Sequence, residues 1–171
     1  MFNSSKPIQN RKLKCAIAAL CLLPFGHASD AATTTSTFTV QMTVTAACVI
    51  NSASTLNFGS QGVITANVDQ TSTLQVQCTN TTPYNIGLDV GTGTGATVAV
   101  RKMTSGAATI NYSLYSDAGR TTVWGNTVGT NTVVGTGNGS SQTYTVYGRV
   151  PPQTTPAAAT YTDTITATVT Y

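Results

Sequence analysis

Long stretches of the chain alternate apolar residues with Thr or Ser, which is the pattern of a β-strand with one buried face. The first of them covers residues 38–48, where every second position is apolar over eleven residues. At about 3.3 Å per residue it predicts a strand of about 36 Å, roughly twice the usual length. A second long alternation occupies residues 161–171.

Shorter runs with strand character and intervening turns fill the region between these two stretches. They cover residues 56–58, 63–68, 74–78, 84–90, 98–100, 110–114, 123–124 and 144–150. The turn signal at residues 117–120 predicts a β-hairpin. Residues 127–141 are rich in Gly, Asn and Thr and predict mainly loop. Many short strands with turns between them indicate an all-β, immunoglobulin-like β-sandwich.

Residues 1–31 predict a secretory signal peptide. Basic residues precede an apolar run at residues 15–25, which is too short to span a bilayer. Small residues allow cleavage after Ala28 or after Ala31, and both positions remain open. Either one leaves a single domain of about 140 residues in an exported protein.

Removal of the signal peptide changes the charge balance. The whole chain has a formal net charge of +3, but residues 32–171 contain four Lys or Arg, four Asp, no Glu and no His. Four scattered cations do not make a basic patch that could follow a phosphate backbone. We therefore expect no nucleic-acid partner.

Two cysteines, Cys48 and Cys78, remain after cleavage behind Ala31. A disulfide is the expected state in an oxidising compartment, and both residues share the parity of the apolar positions in their strands. Two free thiols or a shared metal ion are the alternatives. A metal is disfavoured because residues 32–171 contain no His and no CxxC spacing.

Residues 32–171 offer little for catalysis. Without His, neither a Ser-His-Asp nor a Cys-His arrangement can form, and four isolated Asp do not predict a carboxylate pair. The Gly-rich residues 91–95 lack phosphate-loop spacing and predict a turn. Asp163 is expected at the rim of the sandwich, and Trp124 is expected to pack rather than bind a sugar. We expect no enzyme activity, no cofactor, no metal and no small-molecule substrate.

The alternating segment before Cys48 needs a partner, because an apolar row with free backbone groups promotes aggregation in water. It is either an ordinary first strand of its own domain or a strand that is added to another chain's sheet. The pattern leaves both interpretations open. In the second, Phe38, Val40, Met42 and Val44 have the spacing to fill successive pockets of a partner.

Several segments, in this order and spacing, make the sequence resemble the spore coat protein U domain family, which includes subunits of archaic (Csu-type) chaperone-usher pili. The resemblance covers nearly all of the chain after the signal peptide. It is carried by residues 37–48, by Leu56-Asn57-Phe58-Gly59, by residues 111–121 with Trp124-Gly125, and by residues 161–171.

The resemblance implies an immunoglobulin-like pilin domain, residues 48–171, that lacks its last strand and follows a donor segment, residues 32–47. A periplasmic chaperone first fills the open groove, and an outer-membrane usher then exchanges it for the donor segment of the next subunit. The expected product is a head-to-tail pilus on the cell surface that supports adhesion and biofilm formation. The residues assigned by resemblance are the donor side chains Phe38, Val40, Met42 and Val44, the groove and chaperone contacts Ile165, Ala167, Val169 and Tyr171, and the clamp Cys48–Cys78.

Two other functions stay open. Some members of this family are described as coat components of spores, which makes an extracellular coat protein the first alternative. A secreted carbohydrate-binding module is the second, but it needs a cluster of exposed aromatic residues, and the sequence offers Trp124 and scattered Tyr.

Overall fold

The computed structural model of the chain describes residues 30–171, so the predicted signal peptide lies outside it except for Asp30 and Ala31. The chain divides into two compact units at Gln41. In the first unit, the described residues 30–41 are exposed and form no strand. The second unit, residues 42–171, contains strands and no helix. Within residues 30–171, no helix has the length and apolarity that crossing a membrane requires.

Eight strands make up the second unit, and the alternation of apolar and polar residues explains most of them. Their bounds are β1 Cys48–Ala53, β2 Val68–Cys78, β3 Pro83–Leu88, β4 Arg101–Ser105, β5 Ala108–Tyr115, β6 Val133–Thr136, β7 Ser141–Val150 and β8 Ala167–Thr170.

The strands form two sheets in which every ladder is antiparallel. One sheet has five strands in the order β1-β2-β7-β5-β4, and the other has three in the order β6-β3-β8. The longest ladder joins β2 to β7 and places Val68 opposite Val150 and Gln77 opposite Ser141. The first strand of the domain and the last strand are therefore both edge strands, in different sheets.

The core lies between the sheets and is built from the inward parity of each strand. Leu74, Val76 and Cys78 alternate with less buried polar residues along β2, as the pattern predicts for a half-buried strand. The other buried apolar side chains are Ile64, Tyr84, Ile86, Leu88, Tyr112, Leu114, Trp124, Val146 and Val150. Trp124 is 1% exposed and its indole N–H donates to the Ile86 carbonyl at 2.8 Å, so it packs in the interior as predicted.

One charged side chain, Arg101, is completely buried at the start of β4. Its guanidinium donates to the backbone carbonyls of Leu88, Asp89, Val98 and Trp124 at 2.8 to 3.0 Å. Burial lowers the pKa of this guanidinium. The rigid fork of donors joins β4 to the segments that follow β3 and β5, which is a task that the single ammonium of Lys cannot perform.

The structure departs from the predicted strands in several places. Residues 38–47, 56–58 and 98–100 form no strand, and residues 63–68 form none before Val68. The strand β6 lies inside the predicted loop at residues 127–141, and the last strand is limited to Ala167–Thr170. The predicted hairpin is present in short form, with an isolated bridge between Tyr115 and Val123. Its turn is held by Asp117, which accepts backbone bonds from Thr121 and Thr122. Those bonds lower the pKa of Asp117.

Replacing Arg101 with Lys is expected to destabilise the domain by at least about 2 kcal/mol, because buried carbonyls lose their donors. The neighbouring Lys102 makes one exposed hydrogen bond, to Thr94, so Lys102→Ala is a matched control with a much smaller effect. Denaturant unfolding followed by circular dichroism measures both. Equal stability of the Arg101→Lys and wild-type proteins would contradict this role of the guanidinium.

Candidate functional site

The strand β8 has one open edge. Asp89 N–H donates to Thr166 O at 3.1 Å, which makes Asp89 and Thr166 a hydrogen-bonded pair next to the β3–β8 ladder. Such pairs alternate with non-bonded pairs in an antiparallel ladder. Thr168 and Thr170 therefore direct their backbone groups to β3, whereas Ala167 and Val169 direct theirs to the open edge.

The same parity continues before β8. Thr162 exchanges both backbone hydrogen bonds with Thr104 of β4, at 2.8 and 3.1 Å, so it also faces away from the open edge. The odd-numbered positions 163 and 165 consequently direct their N–H and C=O groups to that edge. Their side chains are half-buried, as are those of the other odd positions between 161 and 169, and the intervening Thr side chains are exposed. This combination is what a sheet needs in order to accept one more strand.

A groove of about 1200 Å³ opens between the sheets next to this edge. One wall is formed by residues 53–64, in which Leu56 and Phe58 pack over Gly148 of β7. A Cβ at position 148 would lie 2.7 Å from Leu56 Cδ1, so a side chain there would displace Leu56 from its place in this wall. The other wall is formed by residues 155–165, and the floor by the core residues Leu74, Leu88, Leu114, Val146 and Val150. The floor residues are themselves buried, and the half-buried apolar residues of the groove include Leu56, Phe58 and Ile165 on its walls.

The end of this edge away from β8 is polar. The Asp163 carboxylate accepts hydrogen bonds from Thr92 N–H at 2.7 Å, Thr92 O–H at 2.8 Å, Thr164 N–H at 2.8 Å and Tyr112 O–H at 2.7 Å. Burial, followed by the bond to Asp163, raises the pKa of Tyr112. Gly91 has φ +80°, and a side chain there would collide with the Asp163 carboxylate. Residues 91–95 form a loop, as predicted, and this loop holds Asp163.

The other end of the open edge, where β8 ends, lies towards the disulfide. β8 ends with Thr170 opposite Asn85 near the start of β3, and β2 ends close by at Cys78. Cys48 and Cys78 are bonded, which confirms the predicted disulfide, and they face each other in the β1–β2 ladder. Ala47 is fixed next to it: its N–H donates to Thr79 Oγ1 at 3.1 Å, and its carbonyl accepts from Thr79 N–H at 2.9 Å. Among the described residues, the hydrogen bonds of the N-terminal segment to the rest of the second unit begin at Ala47.

The predicted donor side chains are among the most exposed large apolar residues of the described chain. In the first unit Phe38 and Val40 are 88% and 84% exposed, and in the second unit Met42 and Val44 are 87% and 73% exposed. None of the four lies in a strand. We call Phe38, Val40, Met42 and Val44 the apolar row.

The structure places the predicted groove residues unequally. Ile165 and Ala167 line the groove, and Val169 packs against the core cluster. Tyr171 is 60% exposed, past the last residue of β8. The wall from Leu56 to Ile64 and the cluster of Asp163, Tyr112 and Thr92 were not predicted as parts of the site. The half-buried parity of Asp163 is visible in the sequence, but its partners are not.

Among residues 30–171, no three His, Cys, Asp or Glu side chains come together in a way that could hold a metal ion. Every buried side-chain nitrogen and oxygen in this part of the chain has a hydrogen-bond partner. The features left to explain are an open sheet edge, an apolar groove and an exposed apolar row.

Comparisons with known proteins agree on the type of domain. Residues 34–168 match the sequence model of the Spore Coat Protein U domain. Protein U of Myxococcus xanthus is 37% identical over 178 aligned positions, which cover 93% of this chain and 98% of that protein.

A solved structure has a similar fold. It is the chaperone-tip adhesion subunit pre-assembly complex CsuC-CsuE from archaic chaperone-usher Csu pili of Acinetobacter baumannii. One of its chains matches 75% of this chain with a TM-score of 0.54 and 24% identity, and this chain spans only 40% of that chain. The likeness confirms the predicted immunoglobulin-like sandwich.

Removal of the disulfide by Cys48→Ser with Cys78→Ser is expected to lower the free energy of unfolding. The bond closes a loop of 30 residues, and a loop of this length contributes about 3 to 4 kcal/mol in the chain-entropy model. Urea denaturation of the purified domain gives the difference, and the yield after export gives a second measure. The wild-type protein treated with a reductant is the control and should move towards the double mutant. Unchanged stability and yield would mean that the disulfide is dispensable.

Proposed function

The chain belongs to the Spore Coat Protein U domain family, and we propose that it is a structural subunit that joins another subunit by adding its N-terminal segment to that subunit's groove. One observation carries this proposal. The same chain has an open groove with a free sheet edge and, separately, an exposed apolar row that no strand of its own incorporates.

The two features match in length and periodicity. The apolar row extends over six residue steps, or about 20 Å in extended conformation. The edge from Asp163 to Tyr171 covers eight steps, which is long enough for the whole row, and it offers a backbone group pair at every second residue between Asp163 and Val169. A strand that bonds to this edge directs its own alternate side chains into the groove, because opposite residues in an antiparallel ladder point to the same face.

The energetics favour a long-lived joint. Burial of four large apolar side chains contributes roughly 6 to 12 kcal/mol, before the backbone ladder is counted. The contact is heterologous, since the groove of one subunit receives the segment of another, and such contacts produce open filaments when they do not close into rings. No nucleotide is needed to drive the reaction if a weaker complex is exchanged for this one.

An open groove is a hazard before assembly, because it exposes apolar surface and a bare sheet edge. We propose that a periplasmic chaperone fills the groove after export and that an outer-membrane usher exchanges it for the segment of the next subunit. The similar fold from the Csu pili was solved as a chaperone–subunit pre-assembly complex, which supports this route. The product would be a cell-surface pilus, and adhesion and biofilm formation are the roles that we assign to it.

The hydrogen bonds of the acidic residues also fit a structural role. Asp69 makes two bonds of 2.7 Å to Arg149, and these bonds lower the pKa of Asp69. Asp89 accepts from Gly91 and Thr166, and Asp117 holds a turn. With Asp163 engaged by Thr92 and Tyr112, all four Asp of residues 32–171 serve the fold.

An extracellular coat protein is the second candidate, favoured by the family's description and by the likeness to Protein U over almost its full length. Strand addition would join subunits in both cases, so the assembled form separates them. Immunogold electron microscopy should label fibres that extend from the cell for a pilus and a continuous layer for a coat.

Deletion of residues 34–44 is expected to leave a subunit that accepts a strand but cannot supply one. It should still bind a synthetic peptide of residues 33–46 and still form a complex with the chaperone, because the groove is intact. Alone it should form no fibres in electron micrographs, and when mixed with wild-type subunits it should shorten their fibres. Fibres made from the deleted chain alone would refute strand addition by this segment.

Point substitutions distinguish the two faces of the segment. Val40→Asp or Met42→Asp places a charge in the groove, and each is expected to reduce the affinity of the peptide by at least 100-fold, since a buried, unpaired carboxylate costs more than about 3 kcal/mol. Thr39→Asp and Gln41→Asp carry the same charge on the other face and should bind within about threefold of the wild type. Equal losses on both faces would contradict the assignment of the apolar row.

A further inference from the structure

Asp163 interrupts the apolar side of the acceptor edge. Tyr161, Ile165, Ala167 and Val169 share its parity, and all of them are half-buried. Its carboxylate is fixed by four hydrogen bonds from Thr92, Thr164 and Tyr112, which come from three separate parts of the domain. Because it cannot swing away without breaking these bonds, a large apolar side chain opposite it would remove its remaining solvent without replacing it.

The direction of an incoming strand follows from the position of the disulfide. Residue 46 of the supplying subunit is next to Ala47, which is anchored at that subunit's disulfide end. A strand parallel to β8 would bring residue 46 to the disulfide end of the receiving subunit, so that like ends would meet. An antiparallel strand brings it to the Asp163 end, and unlike ends meet in a contact that can repeat along a filament.

The possible registers are then few. The apolar row must face the groove, and a slip of one residue would turn it outward, so only slips of two residues are allowed. Three such registers that keep at least two residues of the row on the edge from Asp163 to Tyr171 place Val40, Met42 or Val44 opposite Asp163. A fourth places the small Ala46 there. A fifth would need Cys48, which is already paired with Cys78 in β1 and β2.

The fourth register also gives good neighbours along the rest of the edge. Met42, the longest side chain of the row, faces Ala167, the smallest of the edge, and the β-branched residues face one another. The aromatic Phe38 faces the exposed Tyr171. The full set of opposite residues is Phe38 with Tyr171, Val40 with Val169, Met42 with Ala167, Val44 with Ile165, and Ala46 with Asp163.

We propose that Asp163, held by Tyr112 and Thr92, is the stop that sets the register of the incoming strand, with Ala46 of the supplying subunit opposite Asp163 of the receiving one. This inference rests on the proposed strand addition and specifies its geometry. Asp163 acts by its position and its polarity, and it discriminates between registers that backbone hydrogen bonds alone would accept equally.

Disulfides between cysteines introduced on the sides of the two strands that face away from the groove report the register without changing the groove. In the proposed register Gln41 lies opposite Thr168 in a non-bonded pair, where Cα atoms are about 4.5 Å apart and a disulfide can form. A register slipped by two residues brings Gln41 opposite Thr166 instead. Fibres are assembled from a mixture of Gln41→Cys chains with either Thr168→Cys or Thr166→Cys chains and oxidised, and the cross-linked peptides are identified by mass spectrometry.

The proposed register predicts on the order of tenfold more cross-linking to position 168 than to position 166. Preferred cross-linking to position 166 would overturn the register while leaving strand addition in place. Electron microscopy of the same samples distinguishes a wrong register from the absence of strand addition. If no fibres and no mixed complex form with either pair, strand addition itself is wrong.

Variants of both partners test the role of Asp163. Asp163→Val in the receiving chain should raise the cross-link to position 166 about tenfold, whereas Asp163→Asn, which keeps a polar group of the same shape, should retain the preference for 168. If the preference survives Asp163→Val, the stop is not Asp163.

A change in the supplying strand avoids any effect on folding of the receiving domain. The double substitution Val44→Thr and Ala46→Ile replaces the last large apolar residue of the row with a polar one and puts a large apolar residue two positions later. The proposal predicts that the main cross-link then moves from position 168 to position 166, because that slip places the introduced threonine opposite Asp163 and keeps the introduced isoleucine away from it. An unchanged cross-link at 168 would overturn the proposal even if Asp163→Val did not fold.

Discussion

The structure depends on the open edge of β8, the last strand of the three-stranded sheet. On one side, β8 forms hydrogen bonds with β3. On the same side, Thr162, which precedes β8, pairs with Thr104 of β4. On the other side β8 carries backbone groups at every second residue, next to an opening into the core. Backbone groups and apolar side chains in such a place favour occupation by another strand, since both are costly to leave exposed. The rest of the domain holds the residues that line this opening in their positions.

Several interior contacts hold the strands and loops of the domain in place. Arg101 ties four backbone carbonyls together with one side chain, so the loops around β3 and β4 are fixed without an acidic partner. Gly148 lets Leu56 and Phe58 lie close to β7 and form a wall where the domain has no strand. The disulfide fixes the position at which the N-terminal segment leaves the domain. In each case a direct contact between residues, and not an additional strand, fixes the local structure.

The sequence predicts the faces of the strands well, because a period of two residues is visible in any single segment. The inward parity of Leu74, Val76 and Cys78 and of residues 161–169 follows from this pattern, and so does the meeting of Cys48 with Cys78. The open side of the sandwich was predicted through family resemblance, since no local pattern states which strand a sheet lacks. The four-residue β6 was missed because two Val within a Gly-, Asn- and Thr-rich stretch do not make a recognisable alternation.

Contacts between distant residues account for what the sequence could not predict. Tyr112 and Thr92 reach Asp163 across 51 and 71 positions, and neither residue is unusual in its own segment. Arg101 is bound by carbonyl groups, which every residue has, so its burial leaves no signature in the sequence. Asp163 itself stands out in the sequence as a polar residue on an apolar face, but its predicted place at the rim of the sandwich misses that it lines the groove.

This difference between local and distant information bears on how subunits of this kind could find one arrangement. A pattern that repeats every two residues specifies which face of a strand is buried, but it is unchanged by a slip of two residues, and hydrogen bonds of the backbone are equally indifferent. A long alternating strand therefore has several nearly equivalent positions on an open edge. A single residue that breaks the repeat removes this degeneracy, because only one position avoids opposing it with a large apolar side chain. A carboxylate held by groups from elsewhere in the domain is suited to the task, since its place is set by the folded structure and not by the strand that it selects.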